Sequence, residues 1–411
     1  MDVNVTKTVP IEFKWVVDAY AKVRQGGKAM GIDEESWEDF GKDVSGNLYV
    51  IWNRLASGSY HPQAVREVEI PKQDGTMRKL GIPTLRDRIA QQVVKRYMER
   101  QIDQIFHSDS YGYRPMKSAH QALKTVMKNC LKFDWVIDMD ISKFFDEINH
   151  ELMLKAVGHV MPEKWVSFYV KRWLEMSVQD KEGKIIPRQG KGTPQGGVIS
   201  PLLANLYLHF TLDKWFEIHY PDVRFVRYAD DVVVHCKSKE QAEQILSAIK
   251  LRLAETKLSI KESKTKIAYC TDYRRRLKHE NVKFDFLGFS FKPTKMKSKF
   301  GGYFIGFGTA ISRSNQKKIT ETIKQERVLT NTTIEIKAIS VKLNPKLRGW
   351  LNYYGFLGTR ELHPLWCQLD YRLVKWIKNK YKIPWRKAEH KLNVLKQENP
   401  KLFYHWEAGI C

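Results

Sequence analysis

No run of about 18 consecutive apolar residues occurs in the 411-residue chain, so nothing in it reads as a membrane-spanning helix. The opening stretch, MDVNVTKTVPIEFKW, has no apolar core of the kind a secretory leader carries. Cysteine is scarce. The five residues (Cys130, Cys236, Cys270, Cys367, Cys411) are odd in number and form no CxxC pair. Such spacing excludes a disulfide framework and a zinc site, and it fits a reducing cytoplasm. Internal repeats and low-complexity linkers are also missing. The remaining shortage is of acid: 46 Asp and Glu stand against 70 Lys and Arg, a net charge of +24. Half of that excess lies in the last quarter, where Ile311 to Cys411 holds 20 basic and 8 acidic residues. A field of this sign draws polyanions, nucleic acid before an anionic membrane.

What is present is enough for folded cores. Hydrophobic residues make up 43% of the chain, and its length calls for two or three subdomains. Residues 13–60 read as helices broken at QGGKAMGID. A hairpin is expected over VREVEIPKQDGTMRKLGIP, with Asp74-Gly75 at its turn. Helical spacing runs from Ile89 to Phe106, from Glu151 to Met176 and from Ser200 to Ile218, and Lys239–Lys257 is amphipathic. FDWVIDMDISKFF reads as a buried strand leaving into a loop, and RFVRYADDVVVHC as a hairpin with acids at its tip. KFDFLGFSF is a short strand pair. From about Thr309 the chain is basic, aromatic and mostly helical. The class is α+β, with antiparallel hairpins and segregated helices.

The acids carry the chemistry. Asp138 and Asp140 share one face of their strand because side chains alternate. Asp230 and Asp231 are adjacent at a hairpin tip. Side by side, these elements would bring three or four carboxylates together, which repel unless a divalent cation lies between them. Two surface turns bearing ordinary acids are the other reading, and on the acid pairs alone both stay open. A third segment, GKGTPQGGVISPLLANLYLH, favours the metal. Gly192, Gly196 and Gly197 allow close backbone approach to a ligand, and Gln195 can hydrogen-bond a nucleotide.

In order and spacing these segments resemble motifs A, B and C of reverse transcriptases. The wording of VIDMDISKFFDEINH, GTPQGGVISPLLANLYL and RYADDVVV is most similar to the branch encoded by group II introns. VEIPKQDGTMRKLGIPTLRDRIAQQ, SYGYRPMKSAHQAL and FLGFSF resemble it too, and LRGWLNYYG resembles the signature of its maturase domain.

The resemblance implies a right-hand polymerase. Residues 1–60 would be an N-terminal extension, 61–290 fingers and palm around an antiparallel sheet, and 291–411 a helical thumb and maturase region. It implies that Asp140, the Ile141 carbonyl, Asp230 and Asp231 hold two Mg²⁺ ions, with Mn²⁺ as a substitute, for RNA-directed DNA synthesis. Asp138 is the alternative to Asp140; Asp140 is preferred because Phe145 then falls where the family has the aromatic that excludes a 2′-OH. Gln195 and Gly196 would line the nucleotide pocket, and Lys72 and Arg78 would grip the triphosphate. A two-residue hairpin sets Lys72 opposite Met77 and turns those two cations to opposite faces, so a bulge is needed or one of them serves the template. Arg114 and Lys264 resemble positions near template and nucleotide, and Arg348, Lys375 and Lys378 are expected to meet RNA. The implied partners are an RNA template with primer, intron RNA, a DNA target and deoxynucleoside triphosphates, with no membrane. The Cys-paired nuclease domain that ends many relatives is not expected here. A splicing cofactor with little polymerase activity, or an enzyme recruited to host defence or repair, are the rival readings.

Overall fold

A computed structural model describes residues 9–71, 75, 77–298, 300–358 and 362–407. The chain forms two compact units, one comprising residues up to Asn129 with Trp135–Ile267, the other Cys130–Asp134 with everything from Ala268 on. That division falls inside the stretch 61–290 expected to form fingers and palm.

The first unit opens with helices α1 (Phe13–Arg24), α2 (Trp37–Phe40) and α3 (Val44–Ala56), broken where QGGKAMGID was expected to break them. Strands β1 (Val65–Pro71) and β2 (Met77–Ile82) form the anticipated hairpin, followed by α4 (Leu85–Ile105) and α5 (Ala119–Cys130). Next come β3 (Trp135–Asp140), α6 (Phe144–Glu147), α7 (His150–Val160) and α8 (Lys164–Leu174). One continuous helix was expected over Glu151–Met176. Pro162 divides it, since proline lacks the N–H that the helix needs and crowds the residue before it. A small hairpin of β4 (Val178–Gln179) and β5 (Ile185–Ile186) was not anticipated; β4 joins β1 in parallel.

Then α9 (Ser200–Leu208) passes through a single π-helical turn, His209–Asp213, into α10 (Lys214–His219). The unit closes with β6 (Arg224–Tyr228), β7 (Asp231–Cys236), α11 (Lys239–Glu255) and β8 (Lys266–Tyr269), the strand in which the chain leaves the unit. The central sheet has the order β6-β7-β3-β8. Val232, Val233 and Val234 are all buried, as expected of a strand covered on both faces, and α11 packs on β3 and β7. Side-chain caps start the helices where the sequence offers them: Asn149 for α7 and Ser238 for α11 each accept an orphan backbone N–H.

The second unit begins with a meander of β9 (Phe284–Phe286), β10 (Phe289–Lys297) and β11 (Tyr303–Ile311). The nine-pair β10–β11 hairpin is much longer than the short strand pair read from KFDFLGFSF. Helices α12 (Arg313–Gln325), α13 (Ile336–Tyr354), α14 (His363–Tyr381), α15 (Trp385–Glu398) and α16 (Tyr404–Glu407) follow. Their core gathers Leu343, Leu347, Trp366, Leu369, Trp376 and Phe403. Within it the Asp370 carboxylate accepts from His405 Nε2 (3.0 Å), Trp406 Nε1 (3.0 Å) and Lys396 Nζ (2.7 Å). Burial alone would raise its pKa; these donors hold it below the ordinary value instead. Among the described residues no helix is long and apolar enough to cross a membrane.

Candidate active site

Strands β3 and β7 pair antiparallel with Asp140 opposite Asp231 and Asp138 opposite Val233. Strand alternation therefore puts Asp138, Asp140 and Asp231 on one face, with Asp140, not Asp138, as the direct partner of Asp231. Asp230 occupies the two-residue turn between β6 and β7. At the roughly 5 Å typical of directly opposed residues, two carboxylates repel by about 1 to 3 kcal/mol, depending on how well water screens them. Asp231 keeps solvent exposure, yet its carboxyl lies among neighbouring protein groups. Desolvation, followed by the charges of Asp230, Asp140 and Asp138, pushes its carboxyl up to about 7. Asp230 is raised as well, first by desolvation and then by Asp140.

Two lysines partly offset this. Lys264 Nζ lies 3.1 Å from Asp140 Oδ2, and Lys266 Nζ lies 3.6 Å from Asp138 Oδ2. As they stand, no three His, Cys, Asp or Glu side chains among the described residues converge closely enough to hold a metal ion. The donor set nevertheless suits a hard divalent cation. Clustered carboxylate oxygens are what Mg²⁺ prefers, and two of these acids have raised pKa values that a cation between them would reverse.

The turn carrying Asp230 is braced from inside the protein. Arg227, fully buried in β6, donates from Nε and Nη2 to the two oxygens of buried Asp213 (2.8 and 2.6 Å). Its Nη1 donates to Asn205 Oδ1 (2.8 Å) and to the Ala229 carbonyl (3.2 Å). Asn205 in turn donates to the Gly112 carbonyl at 2.6 Å. Ala229 is held at φ 56°, a left-handed conformation that costs a non-glycine residue about 1 kcal/mol or more. Gly112 lies so close behind it that a Cβ would sit 2.4 Å from the Ala229 nitrogen. Sequence reasoning missed Arg227, Asp213, Asn205 and Gly112 as parts of this site. A faint signal was present, since Asn205 is the one side-chain amide in the apolar run SPLLANLYL.

A second brace ties three segments together through their backbones. Thr193 N–H donates to the Phe145 carbonyl and Gly81 N–H to the Gln195 carbonyl, both at 2.8 Å. Gly196 has φ 124°, and a Cβ there would meet the Gly81 oxygen at 2.6 Å. Gln91 of α4 accepts the Val198 N–H at 2.8 Å, serving a helix start that has no cap of its own. Phe145, half-buried, meets the buried Phe144 edge-on at 5.4 Å. Phe145, Gln195 and Gly196 thus adjoin one another, with β2 alongside. Arg78 on β2 is exposed, and its charge acts downward on the pKa of Asp230. Ile141 is buried and bridges Ile260.

Three expectations need correction or qualification. The hairpin register sets Pro71 opposite Met77, not Lys72, so the connection is longer than two residues. Lys72 and Asp74 lie outside the described residues. Arg114, expected near the template, is turned inward. It donates to Asp103 Oδ1 (2.7 Å), His107 O (2.7 Å) and Ser110 O (2.8 Å), and its guanidinium covers the Phe106 ring at 5.2 Å. An arginine with its donors satisfied by the protein stabilises the loop and leaves little for a phosphate. Arg348, Lys375 and Lys378 belong to the second unit. All three are exposed, and the Arg348 guanidinium lies 5.0 Å over the Tyr404 ring.

The reverse transcriptase (RNA-dependent DNA polymerase) family profile matches residues 70–291. The group II intron maturase-specific domain profile matches residues 316–393. The chain is 32% identical to protein YkfC of Escherichia coli (strain K12) over 63% of this chain and 78% of that protein. It is 25% identical to the group II intron-encoded protein LtrA of Lactococcus lactis over 87% of this chain and 71% of that one. A solved structure of telomerase from Candida albicans with a fragment of telomeric RNA aligns at TM-score 0.47 and 12% identity, covering 91% of this chain and 67% of that one.

The Arg227 brace can be tested directly. Arg227→Met leaves the Asp213 carboxylate buried and unpaired and should destabilise the protein by about 3–5 kcal/mol in urea unfolding. Adding Asp213→Leu should recover most of that loss, because replacing both partners of a buried pair with apolar groups is far less costly. A double variant as unstable as the single one would show that the pair is not what holds this region.

Proposed function

The chain belongs to the reverse transcriptase family and carries a group II intron maturase-specific domain, and from this and the site geometry we propose that Asp140, Asp230 and Asp231 are the catalytic acids of its RNA-directed DNA polymerase. The register that sets Asp140 against Asp231, with Asp230 in the adjoining turn, carries the reading. Reverse transcriptases use divalent metal ions. Here the three carboxylates and the Ile141 carbonyl would hold two Mg²⁺, which when bound activate the primer 3′-OH and neutralise charge on the transferring phosphoryl group.

The protein's own groups do the rest. Arg78 and Lys72 would meet the triphosphate, whose oxygens carry the transition-state charge. Lys264, 3.1 Å from Asp140, would be placed to meet the incoming nucleotide. Gln195 and Gly196 would line the nucleotide pocket, and Phe145 beside them would press on the sugar where a 2′-OH would project. On this reading residues 61–290 are fingers and palm, residues 1–60 an N-terminal extension, and residues 291–411 thumb and maturase region. Arg348, Lys375 and Lys378 would face intron RNA, through which the chain assists splicing and mobility.

Asp230→Ala should leave the fold intact, by an unchanged unfolding curve, and abolish primer extension on an RNA template. Losing a metal ligand removes several kcal/mol of transition-state stabilisation, on the order of 10³-fold or more in rate. Extension within tenfold of the parent would refute the assignment.

Phe145→Ala should raise the ratio of ribonucleotide to deoxyribonucleotide inserted in single-nucleotide assays, with some loss of overall rate from poorer packing. An unchanged ratio would leave Phe145 a packing residue.

Metal affinity should depend on pH with a defined sign. The Asp231 carboxyl is held near 7, above the ordinary carboxylate value, so the metal-free fold favours its neutral form. That preference is fully present well below the ordinary value and is lost as pH rises through about 7. Below 7, Mg²⁺ must therefore expel a proton. Calorimetric titration should find Mg²⁺ bound about tenfold more weakly at pH 6 than at pH 8. Equal affinity at both would mean that the carboxyl is not raised.

A further inference from the structure

The hairpin of β10 and β11 extends beyond what its own sheet requires. Its nine residue pairs run from Phe289–Ile311 to Lys297–Tyr303, yet β9 pairs only with Phe289, Ser290 and Phe291. Near the base, Phe291 and Phe307 are buried against Phe284, which stacks on Phe291 at 4.8 Å. The same face turns outward in the distal half. There Lys295 and Lys297 stand opposite Ile305 and Tyr303, and all four are exposed. Tyr303 is 66% exposed with Lys295 Nζ 4.5 Å from its ring centroid, and Phe300 at the tip is 99% exposed.

A second segment of this unit lies along the arm. Tyr273 N–H donates to the Ile305 carbonyl at 2.8 Å, and the Tyr273 ring meets Phe304 edge-on at 5.6 Å. Phe304 alternates with Tyr303 and Ile305, so this segment, with the exposed Arg274 guanidinium 5.5 Å over the Tyr273 ring, lies against the other face and leaves the Lys295–Tyr303 face open. Arg274 also reaches the Asp272 carboxylate at 3.1 Å, but Arg275 holds that acid more closely, at 2.6 Å. No Asp or Glu occurs between Asp285 and Glu321, a stretch that holds seven Lys and Arg.

Lysines alone could be edge protection, since charge on a free strand discourages pairing with other chains. Exposed rings among them oppose that purpose, because open aromatic surface invites association. Rings alternating with cations suit a single-stranded nucleic acid: phosphates meet the cations while unpaired bases stack on the rings. A duplex hides its bases and offers the rings nothing.

We infer that the distal β10–β11 arm is a binding site for single-stranded nucleic acid, its phosphates on Lys295 and Lys297 and its bases on Tyr303 and Phe300. The site goes beyond the polymerase reading and does not depend on Asp140, Asp230 or Asp231. Its physiological occupant is a free stretch of RNA or DNA strand, and comparing the two sugars decides which.

The test uses the full chain and fluorescein-labelled 15-mers: oligo(U) RNA, oligo(dT) DNA and a blunt RNA duplex of mixed sequence. Anisotropy is read without metal or deoxynucleotide, so a failure here is separate from any failure of the polymerase reading, which stands on Asp230→Ala. Tyr303→Ala should weaken single-strand binding by five- to tenfold with the salt slope unchanged, and leave duplex binding within twofold. Lys295→Ala with Lys297→Ala should lower the magnitude of the log–log salt slope on a single strand by about 1.4, roughly 0.7 for each phosphate no longer neutralised. These side chains are exposed, so unfolding curves should match the parent. Single-strand binding by both variants within twofold of the parent would overturn the inference and leave the arm to a protein partner. Equal loss on single strand and duplex in Tyr303→Ala would overturn it too, since the ring would then not be reading bases.

Discussion

Repulsion among carboxylates is the constraint around which the first unit is arranged. Asp140 and Asp231 face each other across one strand pairing, and Asp230 immediately precedes Asp231 in the turn. Left to itself a surface hairpin with this composition would splay its acids into water. Here it cannot, because the turn is anchored on its inner side by Arg227, whose guanidinium spans Asp213, Asn205 and the Ala229 carbonyl. A buried bidentate ion pair contributes little net stability once desolvation is counted. Its value here is positional: the hydrogen bonds of one guanidinium determine where the turn can go. The strained Ala229 and the close approach of Gly112 fit the same account, in which a costly local geometry persists because its surroundings over-determine it.

The same logic explains why the pieces of the site come from distant parts of the chain. Gly81, Phe145, Thr193 and Gln195 are joined by main-chain hydrogen bonds rather than by side chains. Backbone bonds leave the side chains of Phe145 and Gln195 available for a substrate, and they tolerate little displacement. The single π-helical turn at His209–Asp213 is part of this economy of position. It shifts the helix register between Asn205 and Asp213, the two helix residues that share Arg227.

Much of this frame was legible in the sequence, for identifiable reasons. The valines of β7 and the acids beside them define a strand and a turn whichever way the hairpin packs. Other parts were not legible. Arg227 sits among apolar neighbours and looks solvent-facing on a half-buried strand, since its partner Asp213 lies on another element. Arg114, expected near the template, turns inward because Asp103 and three carbonyls supply acceptors that charge alone does not reveal. The distal β10–β11 arm escaped notice because Lys, Pro, Thr and Gly carry the composition of a loop. Pairing with one another, not propensity, makes those residues strands.

The distribution of charge follows from the same division between frame and surface. The core of the second unit has its own buried acid, Asp370, paired with Lys396 and hydrogen-bonded by His405 and Trp406 within the fold. Its basic excess is therefore not needed to balance the interior. Lys375 and Lys378 are exposed on α14, whose opposite face is packed, and Lys295 and Lys297 are exposed on the paired strands of the arm. Cations held this way on rigid elements lose less freedom on meeting phosphate than cations on mobile loops, so more of the contact free energy reaches affinity. In the first unit positive charge is instead placed singly, Lys264 against Asp140 and Lys266 against Asp138, where it balances particular carboxylates. One sign of charge thus does two kinds of physical work. Placed singly against half-buried acids it allows a crowded site to fold, and repeated along a rigid face it makes a polyelectrolyte surface.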